Sequence, residues 1–179
     1  MLSSYQTTQE ATRPPSRYKS RLSVGVARFC ATPAFALHPH RAVGAKKKGL
    51  DYEREVVRWL ELECNSGDWT GFPKQWIEYT NDRNVYGVCQ PDYFAINARL
   101  GTLLIVEIKL TRRAEAWWQL NALYEPVLRY IFPAFHVAKL EIASNIRNVD
   151  TPTPVRCVTW WDQAQVGRTS FLKVDFGRR

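Results

Sequence analysis

Pro91-Asp92 and Glu107-Ile108-Lys109 stand fourteen residues apart in the stretch QPDYFAINARLGTLLIVEIKLT, residues 90–111. Two carboxylates and an ammonium are the groups that hold a hard divalent cation and place a nucleophilic water beside it. Glu107 and Lys109 also interrupt IVEIKL, where a buried strand should be most apolar. Side chains on a strand alternate faces. Leu103, Ile105, Glu107, Lys109 and Thr111 therefore share one face, and Leu104, Val106, Ile108 and Leu110 share the other. The second face is apolar throughout and must pack against another layer. The first begins apolar and ends in charge.

A turn at 98–102 that folds the two strands antiparallel would return Asp92 to the side of Glu107. Glu53, on a helix upstream, could approach the same point. Carboxylates sharing a partly buried site raise one another's pKa, and desolvation adds to the rise. A divalent cation, Mg²⁺ or Mn²⁺, resolves that conflict. Its oxygen ligands would be Asp92, Glu107 and the backbone carbonyl of Ile108, with Glu53 completing the acidic site directly or through water. Lys109 would position or activate the attacking water and stabilise charge building on a phosphate. This chemistry suits phosphodiester hydrolysis. Plainer roles exist for each group: a strand-edge ion pair for Glu107 and Lys109, a turn residue for Asp92 and an N-terminal helix acid for Glu53.

The elements that must hold these groups follow from periodicity. GLDYEREVVRWLELE reads as a helix with Asp51 as N-cap and Val56, Val57 and Leu60 as its apolar stripe. Glu53 falls on that inward stripe, whereas Glu55 and Glu61 lie nearer solvent. Residues 65–74 read as a loop, 75–80 as a strand and 81–87 as a polar turn before the two strands above. RAEAWWQLNALYEPVLRYIF, residues 113–132, is an amphipathic helix with Trp117, Leu120, Tyr124, Val127, Leu128 and Ile131 facing inward. Pro126 should kink or split it. Residues 135–144 form a further strand, 145–154 a turn-rich connection, and 155–161 and 169–176 late strands. This order predicts an α/β fold with a mixed central β-sheet flanked by helices.

A chain of 179 residues fits one domain. Its net charge of +8 lies wholly in residues 1–48, which hold nine Lys or Arg and one acid. That segment, ending in AKKKG, reads as a basic, disordered N-terminal arm ahead of a domain over 49–179. Three roles fit it: sequence-independent attraction to phosphates, an organellar transit peptide, or a solvated extension. Cys30, Cys64, Cys89 and Cys157 are scattered and give neither a zinc motif nor a disulfide framework. No uncharged apolar run is long enough to span a bilayer. The expectation is an intracellular protein, cytoplasmic or nucleoid-associated, or imported into an organelle if residues 1–48 are a transit peptide.

Pro91-Asp92 followed by Glu107-Ile108-Lys109 resembles the signature of the PD-(D/E)XK nuclease superfamily. Glu53 in GLDYEREVV matches the acid that many members carry on the first core helix. QLNALYEPVL is similar to the Gln-and-Tyr helix of RecB-like exonucleases, though Gln119 and Tyr124 stand five apart where those enzymes usually space them four apart. The resemblance covers Gly49 to about Pro133. It implies a restriction-endonuclease-like core and a metal-dependent DNA nuclease of recombination, repair or processing, exonuclease-like. Within the site it gives Gln119 the task of orienting Lys109 or the water. The alternatives are a structure-specific or restriction-like endonuclease, a nuclease acting on RNA, or a non-catalytic nucleic-acid-binding or assembly protein on the same fold. DNA is the implied partner, with protein partners or self-association supplying specificity.

Other residues have structural defaults. His136 reads as a strand residue, and Tyr124, Trp117-Trp118 and Trp160-Trp161 as packing. Arg112 and Arg113, just past the Glu107–Lys109 strand, are the arginines best placed to meet phosphate.

Overall fold

The computed structural model describes residues 20–37, 42–64, 68–111, 114–144 and 169–173. Along the chain these form β1 (Val24–Phe29), a 3₁₀ turn (Ala34–Ala36), α1 (Gly44–Cys64), β2 (Trp69–Pro73), β3 (Ile77–Asn81), β4 (Tyr86–Cys89), β5 (Tyr93–Asn97) and β6 (Thr102–Lys109). There follow α2 (Ala114–Trp118), a π-helical segment (Gln119–Tyr124), α3 (Glu125–Ile131), β7 (His136–Ala143) and β8 (Thr169–Lys173). The fold is mixed α/β, as the periodicity predicts.

Two sheets stand where one was expected. Five strands in the order β2-β5-β6-β7-β8 make the larger sheet. Its first two pairings are antiparallel and its last two parallel. The smaller sheet is antiparallel in the order β1-β3-β4. In β6 all six interior residues are buried, and in β5 four of five. Strands covered on both faces read as near-continuous apolar runs, and these two do. One face carries Tyr93, Ala95, Leu104, Val106 and Ile108 against Tyr52, Val56, Val57 and Leu60 of α1. The other carries Phe94, Leu103 and Ile105 against Leu120, Tyr124, Val127 and Leu128 of the second helical run. The apolar face of β6 thus packs on α1, and the face that ends in Glu107 and Lys109 packs on the later helices.

Three local expectations are corrected. Val24–Phe29, inside the segment read as a disordered arm, is a strand paired to β3, where Ala27 joins the core. Residues 1–19 of that arm lie outside the described residues. Helix α1 begins at Gly44 rather than at Asp51, because Ala and Lys propagate a helix well and carry it through AKKK. Asp51 is a mid-helix residue paired with Arg54. The predicted loop over 65–74 contains β2, in which Gly71 faces the Tyr93 ring of β5.

The irregularity expected at Pro126 is a π-helical segment, Gln119–Tyr124, directly before it, and the helical run is not interrupted. A proline lacks the N–H for its own turn and crowds the carbonyl four residues back. Here the preceding turn is widened, with the Glu125 N–H bonding the Leu120 carbonyl five residues back, and α3 continues directly. Strand β8 occupies part of the stretch expected over 169–176; the strand expected over 155–161, Trp160, Trp161, Arg112 and Arg113 lie outside the described residues.

A buried polar network ties the second helical run to β7. Lys139, only 4% exposed, gives hydrogen bonds to Glu125 Oε2 at 2.5 Å and Asn121 Oδ1 at 2.6 Å. Glu125 Oε1 also meets Arg129 at 3.0 Å and Arg21 at 3.1 Å. Buried charge is costly unless paired and hydrogen-bonded, and both partners here are.

Candidate active site

The β5–β6 hairpin brings the first two acids together. Its turn closes at Gly101, whose φ of +59° favours glycine. Pairing runs Tyr93 to Val106 through Asn97 to Thr102. Continuing that register by one residue sets Asp92 opposite Glu107. By two, it sets Pro91 opposite Ile108.

The Ile108 N–H donates to Asp92 Oδ2 at 2.7 Å, so the backbone groups of Ile108 face the β5 edge. In an antiparallel ladder such a residue exchanges both of its hydrogen bonds with the one across from it. Pro91 has no N–H to give. The Asp92 carboxylate takes up the Ile108 N–H, and Pro91, for want of an N–H of its own, leaves the Ile108 carbonyl without a ladder donor. Asp92 and Glu107 occupy the alternate position, where opposed side chains come closer.

Glu107 is 1% exposed. Its Oε1 accepts from the Lys109 ammonium, while Oε2 is buried with no hydrogen-bond partner among the described residues. Such an orphan is expensive and calls for a specific explanation. Burial, then the Asp92 charge, pushes Glu107 well above the usual carboxylate range. Burial and Glu53 push Asp92 up to about 6, against the pull of Lys109 and the Ile108 N–H. Burial draws the Lys109 ammonium down, but Glu107 and Asp92 outweigh it and hold the group above its ordinary value.

Glu53 lies on α1 at the rim of the buried stripe, and its Oε1 meets Lys74 Nζ at 2.7 Å. It acts on Asp92 and Glu107 through its field and is itself held by a lysine. Lys74 lies in the stretch that reads as a loop, and no pattern in the sequence marks it. It follows β2 in a left-handed conformation with φ of 48°. Its N–H donates to the Asp92 carbonyl at 3.2 Å, and its carbonyl accepts from Gln90 Nε2 at 2.8 Å. Left-handed non-glycine residues persist where their surroundings fix them, and they gather at functional sites.

Gln119 sits at the start of the π segment. Its Nε2 donates to Tyr124 Oη at 3.4 Å, and Tyr124 Oη donates to the Gln90 carbonyl at 3.3 Å. An α-helix brings residues four apart into line; a π turn does the same for residues five apart. The spacing of Gln119 and Tyr124 is matched by the local helix type. Gln119 Oε1 is buried without a hydrogen-bond partner among the described residues.

A cleft of about 310 Å³ opens beside these groups. The start of α1 (Ala45, Gly49), the end of β6 (Lys109 to Thr111) and the helix beyond (Glu115, Gln119) line it. Glu107 lies beneath Lys109 rather than in the cleft wall.

Glu141 of β7 is a further buried acid beside the site. It is the in-register neighbour of Glu107 on the adjacent parallel strand and is fully buried. A signal for it existed, since Lys139 and Glu141 alternate within KLEI as Glu107 and Lys109 do. His136 is exposed at the start of β7, away from these groups.

The donor set fits a hard divalent ion. Glu107 Oε2 is a buried oxygen without a donor, Asp92 Oδ1 takes no hydrogen bond from a described residue, and the Ile108 carbonyl faces the same edge. Among the described residues, no three His, Cys, Asp or Glu side chains close on a metal ion by themselves. An ion here would keep water in most positions, which is the habit of magnesium. Among the described residues no helix is long and apolar enough to cross a membrane.

No protein-family model, curated protein or solved structure matches the chain.

Proposed function

We propose that this chain is a metal-dependent DNA nuclease, with a PD-(D/E)XK-type site on a restriction-endonuclease-like core. One observation carries the reading. Asp92 and Glu107 are neighbours just past the last pair of a hairpin, Lys109 is bonded to Glu107, and a buried Glu107 oxygen has no partner among the described residues. Carboxylates kept in such a place without a cation work against folding, so their presence points to a ligand. Further support comes from the element order. Helix α1 precedes three antiparallel strands (β2, β5, β6), then a helical run and a parallel strand (β7). The π turn adds to it, because it lets Gln119 and Tyr124 meet at a spacing of five.

Mg²⁺ or Mn²⁺, when bound, would make water a better nucleophile and offset phosphate charge. Asp92, Glu107 and the Ile108 carbonyl would hold the ion. Lys109, fixed against Glu107, lines the cleft, where its ammonium would orient water and stabilise charge on a phosphate oxygen. Glu53 and Lys74 set the field at the inner edge. Gln119, across the cleft from α1, orients water or Lys109. Specificity would come from protein partners or self-association.

The test is a cleavage assay with the full chain on linear duplex, single-stranded and closed circular DNA, in Mg²⁺, Mn²⁺ or EDTA. Metal-dependent cleavage is expected, and the form preferred separates an exonuclease from an endonuclease. A folded chain that cuts none of them in any metal sinks the proposal.

A further inference from the structure

The lysines of AKKKG lie on the first two turns of α1, and that helix lines the cleft through Ala45 and Gly49. At 3.6 residues per turn, Lys46 and Lys48 fall about 80° to either side of the line through those two small residues, and Lys47 points directly away. All three lysines are exposed. Elsewhere in residues 20–48, Arg21 is paired with Glu125 and Arg28 with Glu78. Lys46, Lys47 and Lys48 have no acidic partner among the described residues. Uncompensated charge therefore flanks the cleft, whose lining also includes Lys109. Glu115 is the acid on the opposite wall.

We infer that Lys46 and Lys48 are a phosphate clamp for the nucleic acid entering this cleft, and that Lys47 takes no part. The inference rests on the nuclease reading and adds to it where the substrate strand runs. Seven residues separate Lys46 from Glu53, on nearly the same side of α1. At a rise of 1.5 Å per residue that is about 10 Å along the axis. Phosphates of one strand of duplex DNA advance about 3.4 Å per step, so the clamp grips the backbone about three nucleotides from the acidic site. Small residues at 45 and 49 let the backbone come close between the two lysines. The contact is to phosphate alone, which makes it indifferent to sequence and sensitive to salt.

The experiment measures the salt dependence of binding to a short duplex in Mg²⁺, using full chains made inactive by Lys109→Ala. The same slope is read from kcat/KM in chains that retain Lys109, so the result does not hang on one background. Each phosphate neutralised contributes about 0.9 to the slope of log K against log salt. The Lys46→Ala/Lys48→Ala chain should lose about 1.8 of that slope. Between 50 and 200 mM salt the parent should then weaken about tenfold more than this variant. Lys47→Ala should leave the slope unchanged. Alanine is the best helix former, so α1 is preserved in every variant. An unchanged slope in the double variant, or a Lys47→Ala effect as large as either neighbour's, overturns the clamp. If the parent still cleaves DNA in that case, the nuclease reading stands without it. A folded parent that neither binds nor cuts overturns both.

Discussion

Replacing Asp92 with asparagine tests the site through stability instead of turnover. In the ion-free chain, burial and Glu53 push Asp92 from its ordinary 3.8 to about 6. At 1.36 kcal/mol per pKa unit, that rise corresponds to about 3 kcal/mol. The folded state binds this proton more tightly than the unfolded state does. Stability from the protonated group is therefore fully present below about pH 4 and is lost as pH rises through about 6. Asparagine is neutral at every pH, and its carboxamide oxygen can still accept the Ile108 N–H. In EDTA at pH 7.5, Asp92→Asn should be more stable than the parent by up to about 3 kcal/mol. For a chain of this size that is about 6–12 °C in Tm. The gap should close as the pH falls towards 4. Millimolar Mg²⁺ should raise the parent's Tm by mass action and leave the variant's unmoved. Thermal melts at several pH values, with EDTA or Mg²⁺, read all of this. A variant less stable than its parent at pH 7.5 in EDTA, or a gap indifferent to pH, refutes the idea that Asp92 is held against its preference for an ion.

Four other substitutions probe three separate parts of the molecule. Lys109→Ala should lower kcat by about 10²–10⁴-fold, the usual worth of a positioned proton-transfer group, with the near- and far-ultraviolet circular dichroism kept; parental turnover would remove Lys109 from the chemistry. Glu125→Ala should cost about 3–5 kcal/mol in urea unfolding, since it removes the carboxylate paired with the buried Lys139 ammonium. Lys139→Ala should cost less, because Glu125 keeps Arg21 and Arg129, and a reversed order would contradict the network. In Gly71→Ala the new Cβ would lie 1.7 Å from Tyr93 Oη and 2.6 Å from Cζ, against a fully buried ring. Overpacking of that kind should cost about 2 kcal/mol or more, and a neutral melt would show that Tyr93 can move aside.

Much of the candidate site could be read from the chain because its parts are close in sequence. The alternation in TLLIVEIK fixes which residues share a face, and a hairpin-sized interval fixes that Asp92 returns to Glu107. Pro91 is legible in the same way: a residue without an N–H, two places before the strand, leaves one carbonyl of its neighbour unused. The stripe of Val56, Val57 and Leu60 likewise predicts the face of α1 that meets the sheet. These are consequences of periods of 2.0 and 3.6 and of short loops.

Tertiary structure decided the rest. Val24–Phe29 looks like part of a basic tail and becomes a strand only because β3, some fifty residues later, offers its edge. WTGFP looks like a loop; Gly71 is there because the Tyr93 ring lies over it. Lys74 owes its place beside Glu53 and Asp92 to a left-handed turn that no local pattern announces. The π turn lies directly before Pro126, and it brings Gln119 to Tyr124. Local sequence settles what each strand and helix face carries, since covalent geometry orients neighbouring side chains. Which faces meet, and therefore where the charge of AKKK lies relative to Lys109, depends on contacts between residues far apart in the chain, and only the folded molecule specifies those.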